Sequence, residues 1–354
     1  MSKRIIAMLL ALVMVFALCA CGNGGNGGNG SASDDVGDET YTIRIACENS
    51  DSYPATLGLY QMEKYVESHT NGKVQVEVCA SGQLGGEEET LEQVAQGNLE
   101  MAVASFAPVV SYVPEFEVMD IPFVYNSYAE AWMVLDSYVG TNLLDKMEAQ
   151  GLKGLAYMEN GMRQVTSNVS AINSVSDFKG VKLRTMQNNN HMESFSALGA
   201  NPTPVAFSEL YISLSQKVVD AQENPIANVT DKKLYEVQKY LSLTNHIYDA
   251  MPLVCNLEFF NSLPQAYQKV VQAGAIYAQE FSRFCNLERE DLILADLADK
   301  YGMQINEVSA DARAEMAAVA QPAVMKLVAK DIGQDVVDQY MKDVKDVLAQ
   351  VGKF

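Results

Sequence analysis

Two hydrophobic periods alternate near the start of the folded body, and this alternation constrains the fold more than any other feature. "YTIRIAC" (Tyr41 to Cys47) and "KVQVEVCA" (Lys73 to Ala80) are β-branched runs of period two, and between them Leu57 to Val66 carries helical spacing. That is a β-α-β unit. After a glycine-rich turn, "GGEEETLEQVAQGNLEMAVAS" gives a charged first helical turn, an apolar face of Leu91, Val94 and Ala95, Gly97 as a stop, and a strand from Met101 to Ala104. Strand-helix alternation predicts a parallel sheet covered by helices on both faces. Ligands of such sheets bind beyond the carboxyl ends of the strands.

The same grammar returns later with different residues. "VKLRTM" reads as a strand, Met192 to Leu198 as a helix, "PTPVAFSE" as a turn into a helix over Glu209 to Gln216, and "KVVDAQ" as a further short strand. Two α/β lobes follow from this repetition of pattern. Pro225 suits the first position of a helix, where a missing N–H costs little, and Ile226, Val229, Val237 and Leu241 would mark its apolar face. From Pro264 a longer amphipathic helix is expected on Tyr267, Val270, Val271, Tyr277, Ala278 and Phe281, with Gly274 on the same face. A last strand near Gln304 to Val308 and a closing helix pair complete the chain.

Ahead of this body, Lys3 and Arg4 precede an apolar run from Ile5 to Leu18, too short for a comfortable bilayer span, and it reads as a signal peptide. Cys21, directly after "LCA", fits a bacterial lipobox, in which that cysteine becomes the lipidated N-terminus. The glycine- and asparagine-rich stretch that follows has almost no side chain able to join a core and reads as a flexible tether. An extracytoplasmic body held by a lipid anchor at a cell membrane, facing a periplasm or a cell surface, is the expectation.

Acidic residues number 45 against 25 basic ones, for a formal charge of -20, which makes nucleic acid and anionic lipid poor partners. A protein this acidic must capture an anion with a few well-placed cations. Cys47, Cys79, Cys255 and Cys285 match no metal spacing; one disulfide is open to them, and small buried hydrophobes is their expected state.

Catalytic signals are sparse. His69, His191 and His246 lie far apart and outside zinc-type spacing, and the sequence has no G-x-S-x-G elbow, Walker loop or post-strand G-x-G-x-x-G. Neither a metal nor a cofactor is implied. Arg163 in "YMENGMRQVTSN" and Arg184 in "VKLRTMQN" stand out instead, each among apolar or uncharged neighbours. Either each makes an ordinary ion pair with one of the many carboxylates, or a planar guanidinium at a strand end awaits a ligand carboxylate, which it can grip with two parallel hydrogen bonds.

The stretches "NGMRQVTSNVSAINSVSDFKGVKLRTMQN", "LGANPTPVAFSELYISLSQKVVDAQENP" and "KLYEVQKYLSLTNH", with "PEFEVMDIPFVY" and "SGQLGGEEETLEQVAQGNLEMAVAS" before them, resemble the substrate-binding proteins of tripartite ATP-independent periplasmic (TRAP) transporters. The likeness runs from about Tyr41 to about Arg283, and the similar branch contains binders of sialic acid and other sugar acids. It implies an α/β, two-lobed fold of the periplasmic-binding-protein type, with hinge strands and long connecting helices. Lobe I would take residues 41–160 with about 250–288 returning to it, lobe II 161–249 with about 289–335, and 336–354 a C-terminal helix; 1–20 would be the signal peptide and 21–40 the tether. Residue by residue, it implies that Arg184 clamps the ligand carboxylate, Arg163 supports that carboxylate, Asn224 hydrogen-bonds the ligand and Phe207 packs against it, all facing the cleft.

The chain also departs from the sialic-acid pattern. Glu48 stands where those binders carry an asparagine, Ser105 where they carry a glutamate, and Glu87-Glu88 where many relatives have an arginine. Sialic acid is thereby disfavoured, and Glu48 and Glu87 are placed to accept from sugar hydroxyls, or Glu48 is a solvated loop residue. The resulting expectation is a non-enzymatic receptor that binds a monocarboxylate sugar acid, a hexuronate such as glucuronate or galacturonate, and hands it to the small and large membrane subunits of a TRAP transporter. The alternatives are a sensor for the same acid and a binder of sialic acid or a C4 dicarboxylate. A sugar-acid lyase, with His191 as its base, fits least.

Overall fold

The structure is a computed structural model and describes residues 39–350. The signal peptide, Cys21 and nearly all of the tether lie outside the described residues. No helix among the described residues is long and apolar enough to cross a membrane.

The first unit is as its periods require: β1 (Tyr41–Ala46), α1 (Pro54–His69), β2 (Val74–Cys79), α2 (Glu87–Ala95) and β3 (Met101–Val103). Short helices α3 (Phe106–Val109), α4 (Tyr128–Leu135) and α5 (Tyr138–Lys146) then lead to the long strand β4 (Leu152–Ser167). The chain continues through β5 (Lys182–Thr185), α6 (Asn189–Ala197), β6 (Asn201–Pro204), α7 (Leu210–Ser215), β7 (Ala221–Pro225), α8 (Ile226–Asp231), β8 (Tyr240–Leu243) and β9 (Tyr248–Asn256). It closes with α9 (Leu257–Ser262), α10 (Gln265–Asp299), β10 (Gln304–Glu307), α11 (Ala310–Ile332) and α12 (Gln334–Leu348).

The strands run in the order β2-β1-β3-β9-β4-β7-β5-β6, with β8 also on β4 and β10 on β8. The expected parallel sheet is therefore corrected to a mixed one. β1 pairs in parallel with β2 and β3, but β9 is antiparallel to β3 and β4, and β4 is antiparallel to β7 and β8. The antiparallel strands are the ones that carry the chain between its two halves: the first part of β4 pairs with β9, and its last residues, Arg163 to Ser167, pair with β7 and β8. Each half-sheet is sandwiched between two apolar clusters. Ile43 and Ile45 of β1 pack with Leu59, Met62 and Val271 on one face of the first half, while Ala46 and Ala102 face Leu91 and Phe116 on the other. Leu183 lies in a cluster with Phe178 and Phe195, and Leu241 in one with Leu210 and Val229.

Two local readings change. The strand expected over "KVVDAQ" lies later, at Ala221–Pro225, because Lys217 sits at φ 58 in the turn before it. Pro225 ends β7 and caps the helix instead of occupying its first position; the helix runs only from Ile226 to Asp231, Lys233 turns the chain at φ 52, and Leu241 belongs to β8 instead of a helical face. The four cysteines are buried and unbridged, so the open disulfide does not form.

Candidate functional site

The carboxyl ends of the strands converge on one narrow cleft. Glu48 and Asn49 follow β1, Ser105 follows β3, and Glu87 opens α2. From the other half come Arg184 on β5, Phe207 just after β6, Asn224 on β7 and Asn228 on α8. Asn160, on β4 between the halves, also lines the cleft.

Arg184 is 1% exposed, and by strand alternation it points away from Leu183, which lies in the core. Its Nε donates to the Val205 carbonyl at 2.8 Å, which fixes the plane of the guanidinium. Its Nη1 meets no acceptor among the described residues, although it is buried and the side chain lines the cleft. Burial, together with the nearby Arg163, pushes its pKa down to about 10, against the pull of Glu223, Glu87 and Glu48. A desolvated cation with open hydrogen-bond positions is therefore presented to whatever enters.

Arg163 is built differently. It is fully buried, and every nitrogen of its guanidinium is engaged: Nε by the Glu223 carboxylate, Nη1 by Asp249 at 2.7 Å, and Nη2 by Glu223 and, at 3.2 Å, by the Asn224 side-chain oxygen. Asp249 in turn accepts from Asn160 Nδ2 at 2.8 Å. Arg163 does not line the cleft; it holds two amides that do. Burial alone would raise the Glu223 carboxyl, but Arg163, His191 and His246 hold it well below the usual range.

His191 is likewise spoken for. Asn188 caps α6 by accepting from the Asn190 and His191 amides, and this aims the imidazole at Asp120 (3.3 Å) and Glu223 (3.7 Å). Burial opposes its protonation, yet the two carboxylates raise its pKa to about 9. A cationic, doubly paired histidine is no general base at neutral pH.

On the other wall the Glu87 carboxylate accepts from Ser105 Oγ at 2.9 Å, and its backbone N–H donates to Glu48 Oε2 at 3.1 Å. Burial, then repulsion from Glu48 and Asp249, lifts Glu87 to about 8. Glu48 is 6% exposed and is not a solvated loop residue; burial raises its pKa as well. Sequence reasoning reached Arg184, Phe207, Asn224, Glu87 and Ser105, which line the cleft, and Glu48 directly behind Glu87. It missed Asn49, Asn160 and Asn228 on the lining, and Glu223 and Asp249 behind it. Of these only Glu223, next to Asn224 in "AQENP", carried a local signal.

A mixed two-half α/β body with an uncompensated guanidinium in the cleft defines a solute-binding protein for organic anions. The family model for the bacterial extracellular solute-binding proteins of family 7 matches residues 45–331, and the chain belongs to that family, the receptor components of TRAP transporters. These are binding proteins that work with membrane subunits and are not enzymes. The sugar-acid-binding protein of Advenella mimigardefordensis, solved with galactonate, is similar at 32% identity and a TM-score of 0.83, over 87% of this chain and 99% of that one. A TRAP periplasmic solute-binding protein from a Sulfitobacter species with bound β-D-galacturonate shares 27% identity at a TM-score of 0.81, over 85% and 99% of the two chains. The C4-dicarboxylate-binding periplasmic protein of Rhodobacter capsulatus is 32% identical over 76% of this chain and 81% of its own length.

Proposed function

We propose that this receptor captures a monocarboxylate sugar acid, a hexuronate first among them, and delivers it to TRAP membrane subunits from a lipid anchor at Cys21. One observation carries the ligand reading: Arg184 is buried in the cleft with Nη1 unpartnered. A carboxylate would complete it through charge-assisted hydrogen bonds of about 1.5–3 kcal/mol each. Asn224 and Asn160, held from behind by Arg163 and Asp249, would bind hydroxyls, as would Glu87, Glu48 and Ser105, and Phe207 would cover the ring. The lobe boundaries near residues 160 and 249 would act as hinges, with ligand contacts to both lobes favouring the closed state.

The sugar acids bound by two similar proteins support this class. A C4 dicarboxylate fits less well, since its second carboxylate would meet Glu48 and Glu87. Thermal unfolding of wild type and Arg184→Ala with glucuronate, galacturonate, galactonate, sialic acid and succinate tests the reading. A ligand at about 100 times its Kd adds about 2.7 kcal/mol to stability. A hexuronate shift lost in Arg184→Ala is the expected result; a succinate shift with no uronate shift would replace the ligand class, and a shift that survives loss of Arg184 would displace the clamp.

A further inference from the structure

The two walls of the cleft present opposite chemistry, a guanidinium on one and a pair of carboxyls on the other. On one wall is Arg184, with no acidic partner in contact among the described residues. On the other are Glu48 and Glu87, 6% and 8% exposed, linked through the Glu87 amide at 3.1 Å, and neither paired with a basic side chain among the described residues. Glu48 Oε1 is buried and meets no donor among the described residues. Lys232 donates to the Glu48 backbone carbonyl at 3.3 Å and lies over the Phe207 ring at 4.6 Å; against the larger effect of burial, its charge draws the Glu48 carboxyl down without a hydrogen bond to it.

A plain hydroxy acid completes Arg184 and adds one more negative charge beside two buried carboxyls. An acid that also bears an ammonium completes both walls. Resting on the sugar-acid reading above, we infer that the preferred ligand is an amino-substituted sugar acid whose carboxylate meets Arg184 and whose ammonium meets Glu87 on the lining, with Glu48 directly behind it. Three features of the geometry favour this: Glu48 Oε1 without a donor among the described residues, Glu87 on the lining, and Ser105 Oγ donating to only one Glu87 oxygen, Oε1. The protonation of the cleft agrees. Glu87 faces Glu48, Glu88 and Asp249, with Arg184 across the cleft and Lys232 beyond Glu48, and burial leaves it with a pKa of about 8, so it holds its proton at neutral pH. An arriving ammonium would displace that proton; a hydroxyl would not.

Isothermal titration at pH 7, in two buffers of different ionisation heat, separates these cases with matched ligands. Galacturonate is compared with 2-amino-2-deoxygalacturonate, and gluconate with 6-amino-6-deoxygluconate, on wild type, Glu48→Gln, Glu87→Gln and Arg184→Ala. In at least one pair the amino member should bind about tenfold to a hundredfold tighter, with proton release that its hydroxyl twin lacks. The gap should close in both glutamine variants because the amino member loses more affinity than its hydroxyl twin, and thermal unfolding of each variant shows that it is folded. Equal or tighter binding of the hydroxyl twins, lost with Arg184→Ala, would overturn the ammonium subsite and leave the carboxylate clamp standing. Binding of both members unaffected by Arg184→Ala would remove the clamp and the subsite together, and no binding by either pair would also reject the inference.

Discussion

At the scale of single residues, two buried arginines only 21 positions apart do opposite work, and their energetics should separate cleanly. Arg163 neutralises Glu223 and Asp249, so removing it strands two buried carboxylates, a change that costs about 3–5 kcal/mol in comparable buried pairs. Arg184 has no such obligation; it is desolvated, and its Nη1 meets no acceptor among the described residues. Chemical denaturation should show Arg163→Met losing about 3–5 kcal/mol, while Arg184→Met keeps or gains stability and loses ligand binding. Equal destabilisation by the two would mean that Arg184 has a structural partner after all. The alternation in "VKLRTM" made the outward aim of Arg184 legible, because Leu183 had to face the core. The burden on Arg163 was not legible, since its partners lie 60 and 86 residues away and are brought to it only by the pairing of β4 with β7 and β9.

At the scale of elements, the long helix α10 was readable from its three-and-four spacing, which also put Gly274 on its apolar face, where a helical glycine costs about 1 kcal/mol against alanine. The structure gives Gly274 a purpose: a Cβ there would lie 2.8 Å from Val66 Cγ2 on α1. Gly58 on α1 answers it, with its added Cβ only 2.5 Å from the Ala278 carbonyl oxygen of α10. The two helices meet at paired glycines, and the obstacle at Gly58 is backbone, which cannot swing aside. Gly58→Ala should lower stability by about 1–3 kcal/mol, as overpacking does, measured by the urea midpoint; an unchanged midpoint would show that the helices can part without cost. The strands β4 and β9 were the elements the sequence hid. Every residue of β9, and every residue of β4 except Lys153, is buried, so no polar-apolar alternation marks them. The polar side chains of β4, Glu159, Asn160, Arg163 and Gln164, look like loop composition until their buried partners are known. Gly161, at φ 126 in the bulge where β4 crosses between the halves, adds to that impression.

At the scale of the whole molecule, the burial of so many acids in a chain of net charge -20 sets how stability depends on pH. Burial raises Glu87 to about 8 and Glu117 and Glu159 to about 7. Each keeps a proton in the native state that the unfolded chain has already released, so its favourable contribution is complete below the unfolded carboxyl pKa and is lost as pH rises through the folded value. His191, raised to about 9 by Asp120 and Glu223, acts in the same direction between its unfolded value and 9. Glu223 acts oppositely: its carboxyl is held far down, so its contribution is present above the unfolded carboxyl range and fails in acid. His246, lowered by burial, also favours higher pH, but it is one group against four. The unliganded protein should therefore be most stable near pH 5 and lose stability steadily toward pH 9, each group contributing up to about 1.4 kcal/mol per pH unit while it titrates. Thermal unfolding across that range tests the sum, and Glu159→Gln tests a member that lies outside the cleft. Glu159 is fully buried, with Oε2 held by Trp132 and Tyr248 and Oε1 without a donor. Its amide replacement should flatten the slope above pH 6 and leave ligand affinity unchanged. A curve that instead rises from pH 5 to pH 9 would mean that these carboxyls ionise in the native state and that the interior, the cleft included, is wetter than its packing implies.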